Sequence, residues 1–552
     1  MRLLLVATLL LAPSHAADAK AAAVLPPTAA PAASQLPASG AEPVNPTIAE
    51  NQRPGSTDWE ITRPAIDREI EGYASATSVN RGNAIDLFVN TAASSYTIDI
   101  FRMGWYRGLG ARQVAGSIER RGTAQDMPPP DPATGLLECR WRDPFHLETR
   151  DANGPWPSGV YLARVTVASS DADRRAQSFI VFVVRDDDRA SALVFQSSVT
   201  TYAAYNNWGG RSLYGFNSAG TPARKVSFDR PYAMKPYGAR LDGAGDFLRR
   251  WEYNAVRFLE REGYDVTYIT DVDTHARADA LLRHTIFLSV GSDAYWSWPM
   301  REHVEAARSQ GVHLVFLGAG ACFWQIRFEA DSSGHPDRTI VAYKEAADTL
   351  DPFALDRDPQ HHRLITSRWR DRPTSRAEER LIGEMYADDP VDADVVVDAA
   401  SHWAFAGTGL TPGDALTGLL GNSVDAMQGK GPAGIERLAH SPYADPRAPS
   451  RTRYADMTIY QAPSGSLVFA TGSMQWIWGL DGYNARPTRK AKVSAAAQQI
   501  TRNVLNRMLQ GRGTSIPPRG PDRPSLIVVV ALLIAGVAVA RAWIRRPRAG
   551  QA

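Results

Sequence analysis

Residues 285–317 read TIFLSVGSDAYWSWPMREHVEAARSQGVHLVFL, and this stretch decides the fold. Thr285-Ile-Phe-Leu-Ser-Val is a short apolar run of strand type, Pro299–Gln310 has helical periodicity, and Val312-His-Leu-Val-Phe-Leu is a second strand. A strand, a helix and a strand in so few residues predict a βαβ unit on a parallel sheet. The same grammar extends outward in both directions. Upstream lie the strand Ala192-Leu-Val-Phe, a helical pattern from Phe247 to a closing Gly263, the strand Asp265-Val-Thr-Tyr-Ile-Thr and a helix over Ala276–Arg283. Downstream, Gly465-Ser-Leu-Val-Phe-Ala-Thr-Gly is a further strand and Ser494 to Leu509 a closing amphipathic helix. Between them, residues 330–460 are charged and read as a loop-rich insertion. The expectation is an α/β three-layer domain over 188–512. Ahead of Asp186-Asp-Asp the pattern is different. Ile85, Leu87 and Val89 alternate with polar partners, as do Tyr96, Ile98 and Ile100, and Phe179–Val184 is continuously apolar. About seven short strands without a helix predict an immunoglobulin-like β-sandwich over 56–187.

The two ends have their own character. Met1-Arg2, an apolar run from Leu3 to Ala12 and the small residues Ser14 and Ala16 form a signal-peptide pattern over 1–16. An Ala/Pro-rich stretch over 17–55 reads as a disordered linker. At the other end, a Pro-rich linker over 513–524 leads to the apolar segment 525–544, about 30 Å long as a helix, which predicts a single C-terminal transmembrane helix. The arginine-rich 545–552 follows as a cytoplasmic tail. The expectation is a membrane-anchored protein with its bulk and N-terminus outside the cytoplasm, in the periplasm or at the cell surface. Over 552 residues, 61 Lys and Arg nearly balance 59 Asp and Glu, so no basic surface speaks for nucleic acid as a partner. Two cysteines, Cys139 and Cys322, exclude a disulfide scaffold or a four-thiolate zinc site.

Open α/β sheets gather ligands beyond the carboxyl ends of their strands. Three aromatic-rich segments fall there: Thr201–Tyr214, Gly291–Trp298 and Gly318–Arg327. They predict a lined pocket with Tyr202, Tyr205, Tyr214, Tyr232, Ser292, Asp293, Tyr295, Trp296 and Cys322 as candidates. No Gly-x-Ser-x-Gly, His-Glu-x-x-His or phosphate-binding loop is present. Asp356, Asp358, His361 and His362 form the one compact His/Asp cluster, a weak metal signal. Cys322 follows a strand and glycines, where class I glutamine amidotransferase-like folds hold a nucleophilic thiol. It would need a base such as His402 or His440, and a buried inert thiol is the commoner outcome. A Cys139–Cys322 disulfide would have to join the two domains.

The chain resembles the large (beta) subunit of N,N-dimethylformamidase. The likeness runs through Ile98-Asp-Ile-Phe-Arg-Met-Gly-Trp-Tyr-Arg-Gly-Leu-Gly-Ala-Arg112, Thr201-Tyr-Ala-Ala-Tyr-Asn-Asn-Trp-Gly-Gly, Leu259–Asp271, His402-Trp-Ala-Phe-Ala-Gly-Thr-Gly-Leu and Thr471-Gly-Ser-Met-Gln-Trp-Ile-Trp-Gly-Leu. The resemblance implies a β-sandwich followed by a glutamine amidotransferase-like α/β domain, and a hydrolase of the formamide C–N bond. It implies an iron held by two tyrosines and a glutamate, with a histidine and an asparagine nearby. Phenolates and carboxylate are hard donors suited to ferric iron. Tyr202, Tyr205, Tyr214 and Tyr232 are candidates for the tyrosines. The other positions differ: Ser292 stands for the histidine, Ala294 for the glutamate and Gly320 for the asparagine. Asp293 is one residue out of register with the lost carboxylate. A family segment of the form Gly-Tyr-Glu-x-Asp is altered to Gly421-Asn-Ser-Val-Asp425. The expectation is therefore no iron cofactor, and a pseudoenzyme that binds a small molecule or a protein partner. The alternative is a divergent hydrolase of an amide or other C–N bond.

Overall fold

The computed structural model describes residues 45–234, 242–483 and 492–510. Within them lie sheets of seven, five, four, three, two and two strands. The largest runs in the order Val266–Thr270, Leu193–Ser197, Ile286–Gly291, His313–Gly318, Leu467–Ala470, Ala448–Gln461 and Glu436–Asp445. Its first five strands are parallel and its last two antiparallel. The first three are buried along their whole length, which is why they read as mostly apolar runs without polar alternation. The chain leaves Leu193–Ser197 for one neighbour and then returns to the other. The carboxyl ends of Leu193–Ser197 and Ile286–Gly291 thus flank a topological switch point.

The helices that cover this sheet follow the periodicity. Tyr253–Glu262 ends on Gly263, whose φ of 77° is the left-handed cap. Trp298–Ser309 and Ala495–Leu509 lie within a residue of expectation. The helix expected over Ala276–Arg283 is instead turn, and a helix forms earlier, at Asp271–Ala276. Thr270 and Asp273 cap that helix reciprocally, which fixes its start one turn upstream.

Over 71–185, a five-stranded and a three-stranded sheet enclose a core that includes Leu87, Ile98, Ala163 and Ile180. One pair of strands there, Ser78–Asn80 with Gln177–Arg185, is parallel. The opposite face of the five-stranded sheet presents Phe101, Val160, Leu162 and Phe179 to Tyr253, Phe258 and Tyr268. Burial on both faces explains the continuous Phe179–Val184 run.

The expected fold class needs correction. Residues 330–460 do not form a loop-rich cover: Met385–Val396, Ala415–Ala426, Glu436–Asp445 and Ala448–Gln461 are strands of 12, 12, 10 and 14 residues. Two of them extend the large sheet and two pair with each other. Met385–Val396, Glu436–Asp445 and Ala448–Gln461 carry charge on their exposed faces, and polar residues on one face of an antiparallel strand look like loop in a linear reading. The result is a mixed, sheet-rich fold with several sheets, in place of a sandwich beside a three-layer domain with a membrane helix. Among the described residues no helix is long and apolar enough to cross a membrane. The longest, Ala495–Leu509, has 15 residues, buries Ile500, Val504, Leu505 and Met508 in the core, and pairs Arg502 with Glu262. The single-span architecture, the membrane partner and the anchored extracytoplasmic localisation are corrected accordingly. The expected signal 1–16, most of the 17–55 linker, the 513–524 linker, the 525–544 segment and the 545–552 tail lie outside the described residues. Of the linker, Pro46–Asn51 is a helix capped by Asn45, with Glu50 and Asn51 buried.

Candidate functional site

The site is built at the switch point. Beyond Leu193–Ser197 comes the seven-residue helix Val199–Tyr205, too short to persist on its own. Carboxylates hold its first turn. Glu252 accepts from the Ser198 amide and the Ser197 hydroxyl, both at 2.8 Å, and Asp271 accepts from the Thr200 amide at 2.9 Å. Asp293, 1% exposed, accepts from Gln196 Nε2 at 2.7 Å and Ser289 Oγ at 2.8 Å. Burial, helped by the neighbouring carboxyls, pushes the Glu252 acid up to about 7 and holds Asp271 well above the usual range. Burial likewise raises Asp293. These three acids brace the loop from beneath. The Gln196 and Ser289 bonds both fall on Asp293 Oδ2, inside the core, and Oδ1 is buried without a hydrogen-bond partner among the described residues.

Above this brace lies a row of tyrosines. Tyr205 and Tyr214 stack with ring centroids 4.3 Å apart, and Tyr295 meets Tyr214 edge-on at 6.5 Å. The Tyr295 hydroxyl donates to that of Tyr214 at 2.5 Å. Lys344 reaches over the same ring, its Nζ 3.5 Å from the Tyr214 centroid and 5.3 Å from that of Trp324. Its loop is pinned by Thr366, which bonds the Tyr343 and Lys344 amides at 2.8 Å each, and Lys344 itself sits at a φ of 59°. Burial lowers the Lys344 ammonium to about 8, opposed by the Glu345 charge. Exposed Phe216 covers the outer side of the row, 5.3 Å from Tyr214.

The predicted residues thus separate into groups. Tyr205, Tyr214 and Tyr295 come together. Tyr202 faces Tyr232 edge-on at 6.1 Å, its hydroxyl 3.3 Å from Ser197 Oγ, and Tyr232 borders a cavity of about 30 Å³, room for one water. Trp296 is fully buried against Phe287, and Ser292 is half-buried. Cys322 is fully buried among Met300, Val304 and Trp369, with Arg301 Nη1 at 4.0 Å, and burial pushes its thiol up. His440 is engaged by Asp456 at 2.7 Å and His402 lies 3.9 Å from Glu436. Both cysteines are free thiols, each in a different core cluster. Lys344 carried no signal in the sequence, being one lysine in a charged segment.

At the glutamate position, Ala294 contributes only backbone: its amide donates to Thr201 Oγ1 at 3.1 Å and its carbonyl accepts from the Trp324 amide at 2.7 Å. At the asparagine position, the Gly320 amide donates to both Asp425 oxygens, at 2.8 and 3.0 Å. Burial raises Asp425 to about 7, and Glu384 beside it is held well above its usual range. Ala294 and Gly320 offer no side-chain donor to a metal, and Lys344 sets a cation over the Tyr214 ring. Among the described residues no group of three His, Cys, Asp or Glu could hold a metal. The His361–Asp356 contact of 2.6 Å is an exposed pair.

A family model described as N,N-dimethylformamidase beta subunit-like, C-terminal, matches residues 97–490, more than half of the chain. No curated protein matches it.

Proposed function

Because the chain belongs to the N,N-dimethylformamidase beta subunit-like family, we propose that it keeps that family's body without iron-dependent amidase chemistry and binds a small molecule at the tyrosine row. What carries this reading is Ala294 and Gly320, where the family resemblance implies a glutamate and an asparagine, together with the Lys344 ammonium over the Tyr214 ring. Hydrolysis of an amide needs a polarised carbonyl and an activated nucleophile. Neither Cys322 nor Asp293 meets that need, since both are buried and Asp293 is already hydrogen-bonded to Gln196 and Ser289. This disfavours the divergent-hydrolase alternative. The test is metal analysis of the full chain produced with iron in excess. The expected result is far less than one iron per chain and no visible tyrosinate-to-iron absorption. One iron per chain, with that absorption, overturns the reading.

A further inference from the structure

Arg230 carries a charge to a place where no acid meets it. The residue is 2% exposed. Its Nη1 donates to the Trp208 and Arg211 carbonyls at 3.2 and 2.9 Å, and its Nη2 to those of Asn206 and Ala203 at 3.0 and 3.5 Å. Nε is buried without a hydrogen-bond partner, and the guanidinium has no ion pair among the described residues. The adjoining stretch 235–241, Lys-Pro-Tyr-Gly-Ala-Arg-Leu, contains two cations and no acid. Carbonyl dipoles satisfy N–H groups without cancelling a full charge, and a buried charge is costly unless a counter-charge accompanies it.

The same side chain lines the cavity of about 30 Å³ that Tyr232 borders. The walls also include Arg338, Phe228 and Ile180, and no Asp or Glu. Arg338 gives Nε and Nη2 to Asp229 Oδ1 at 3.1 and 2.6 Å and Nη2 to the Ala74 carbonyl at 3.0 Å, so its Nη1 makes none of these bonds. Glu71, at the start of the strand beside the cavity, is taken up by Arg68 and by Trp208 Nε1. Asp229 thus answers one of the two guanidiniums in the wall, and one positive charge is left over. The space holds one water. It therefore admits a monatomic anion and excludes sulfate, phosphate or a carboxylate.

We propose that this cavity, between the strands Glu71–Ala74 and Gln177–Arg185 and the segment 228–232, is a binding site for a single halide ion such as chloride. Arg230 supplies the charge that the ion balances, Arg338 adds a second cation, and Phe228 and Ile180 give the ion an apolar wall that separates it from competing water. The proposal is independent of the reading at the tyrosine row.

Crystals of the full chain grown with bromide in place of chloride test this. The expected result is one anomalous-scattering peak in the cavity beside Arg230. In solution, chloride is raised at constant ionic strength, with gluconate, too large for the cavity, making up the difference. The melting temperature should climb along a saturating curve by about 2 °C or more. Arg230→Met should abolish that dependence. If Arg230→Met does not fold, the bromide map of the unaltered chain decides. An empty map at the cavity, water density without anomalous signal, or a chloride dependence that fails to saturate or survives in Arg230→Met overturns the assignment.

Discussion

Two glycines two positions apart show how differently single residues are constrained around the site. Gly318 pairs with Gly291 at the carboxyl ends of adjacent parallel strands, and a Cβ there would lie 2.1 Å from the Gly291 carbonyl oxygen. Backbone on both sides leaves nothing to move. Gly318→Ala should therefore lower stability by about 1–3 kcal/mol, the usual range for overpacking, read as a lower urea midpoint. Gly320 has a φ of 68°, a region that asparagine tolerates, and a Cβ there would meet only Tyr386 Cδ2, at an ordinary 3.7 Å. Gly320→Asn should leave the melting temperature nearly unchanged, within about 1 kcal/mol. A large loss at 320 with none at 318 would contradict the packing described at these strand ends.

At the scale of elements, the decisive contact is between the Ser95–Met103 strand and the Tyr253–Glu262 helix. Arg102 and Glu260 form a buried bidentate pair, with Nη2–Oε1 at 2.8 Å and Nη1–Oε2 at 3.1 Å. Asn51 and Tyr268 donate to the same carboxylate at 2.8 Å each, and Tyr106 donates to Arg102's other neighbour, Glu50, at 2.7 Å. One ion pair thus ties together the sandwich-like sheets, the first helix and the helix that covers the large sheet. Arg102→Met leaves the Glu260 charge buried without its partner and should destabilise by about 3–5 kcal/mol. The double variant Arg102→Met/Glu260→Gln should recover part of that loss. Denaturant titration of the unaltered chain, the single variants Arg102→Met and Glu260→Gln and the double variant checks it, and additive losses would show that the two residues do not act as a pair.

For the whole molecule, the buried acids set the response to pH. Glu252 and Asp425 are each raised to about 7 in the folded protein from an ordinary value near 4.5 and 3.8. A group bound more tightly to its proton in the folded state stabilises fully below its unfolded pKa and loses that contribution as pH rises through the folded value. Stability should therefore fall between about pH 5 and pH 8. Paired carboxylates such as Glu50, Glu262 and Glu305, held below their usual range by arginines, act in the opposite sense, and their contribution is lost as pH falls below about 4.5. Urea midpoints at pH 5, 6, 7 and 8 should decline, and Glu252→Gln should flatten the decline. A midpoint that rises over this range, or a slope unchanged in Glu252→Gln, would show that Glu252 does not set the response.

The amino-acid sequence by itself determined the parallel strands, because a strand buried on both faces writes an unbroken apolar run such as Leu314–Leu317, and it determined the family through long ordered motifs such as Thr201–Gly210. It also displayed Ser292, Ala294 and Gly320 where the family resemblance implies a histidine, a glutamate and an asparagine, since side-chain identity is visible as a letter. It did not reveal the strands within 330–460, whose outward charges mask their inward residues, nor the shape of the site. Only the tertiary structure decided that Asp293 turns down to Gln196 while Tyr295 turns up to Tyr214, and that Lys344 arrives over that ring from 130 residues further along the chain than Tyr214. The physical reason is the same in each case: periodicity records which face of an element is buried, whereas the partner that a polar or charged side chain meets is fixed by packing between elements far apart in sequence.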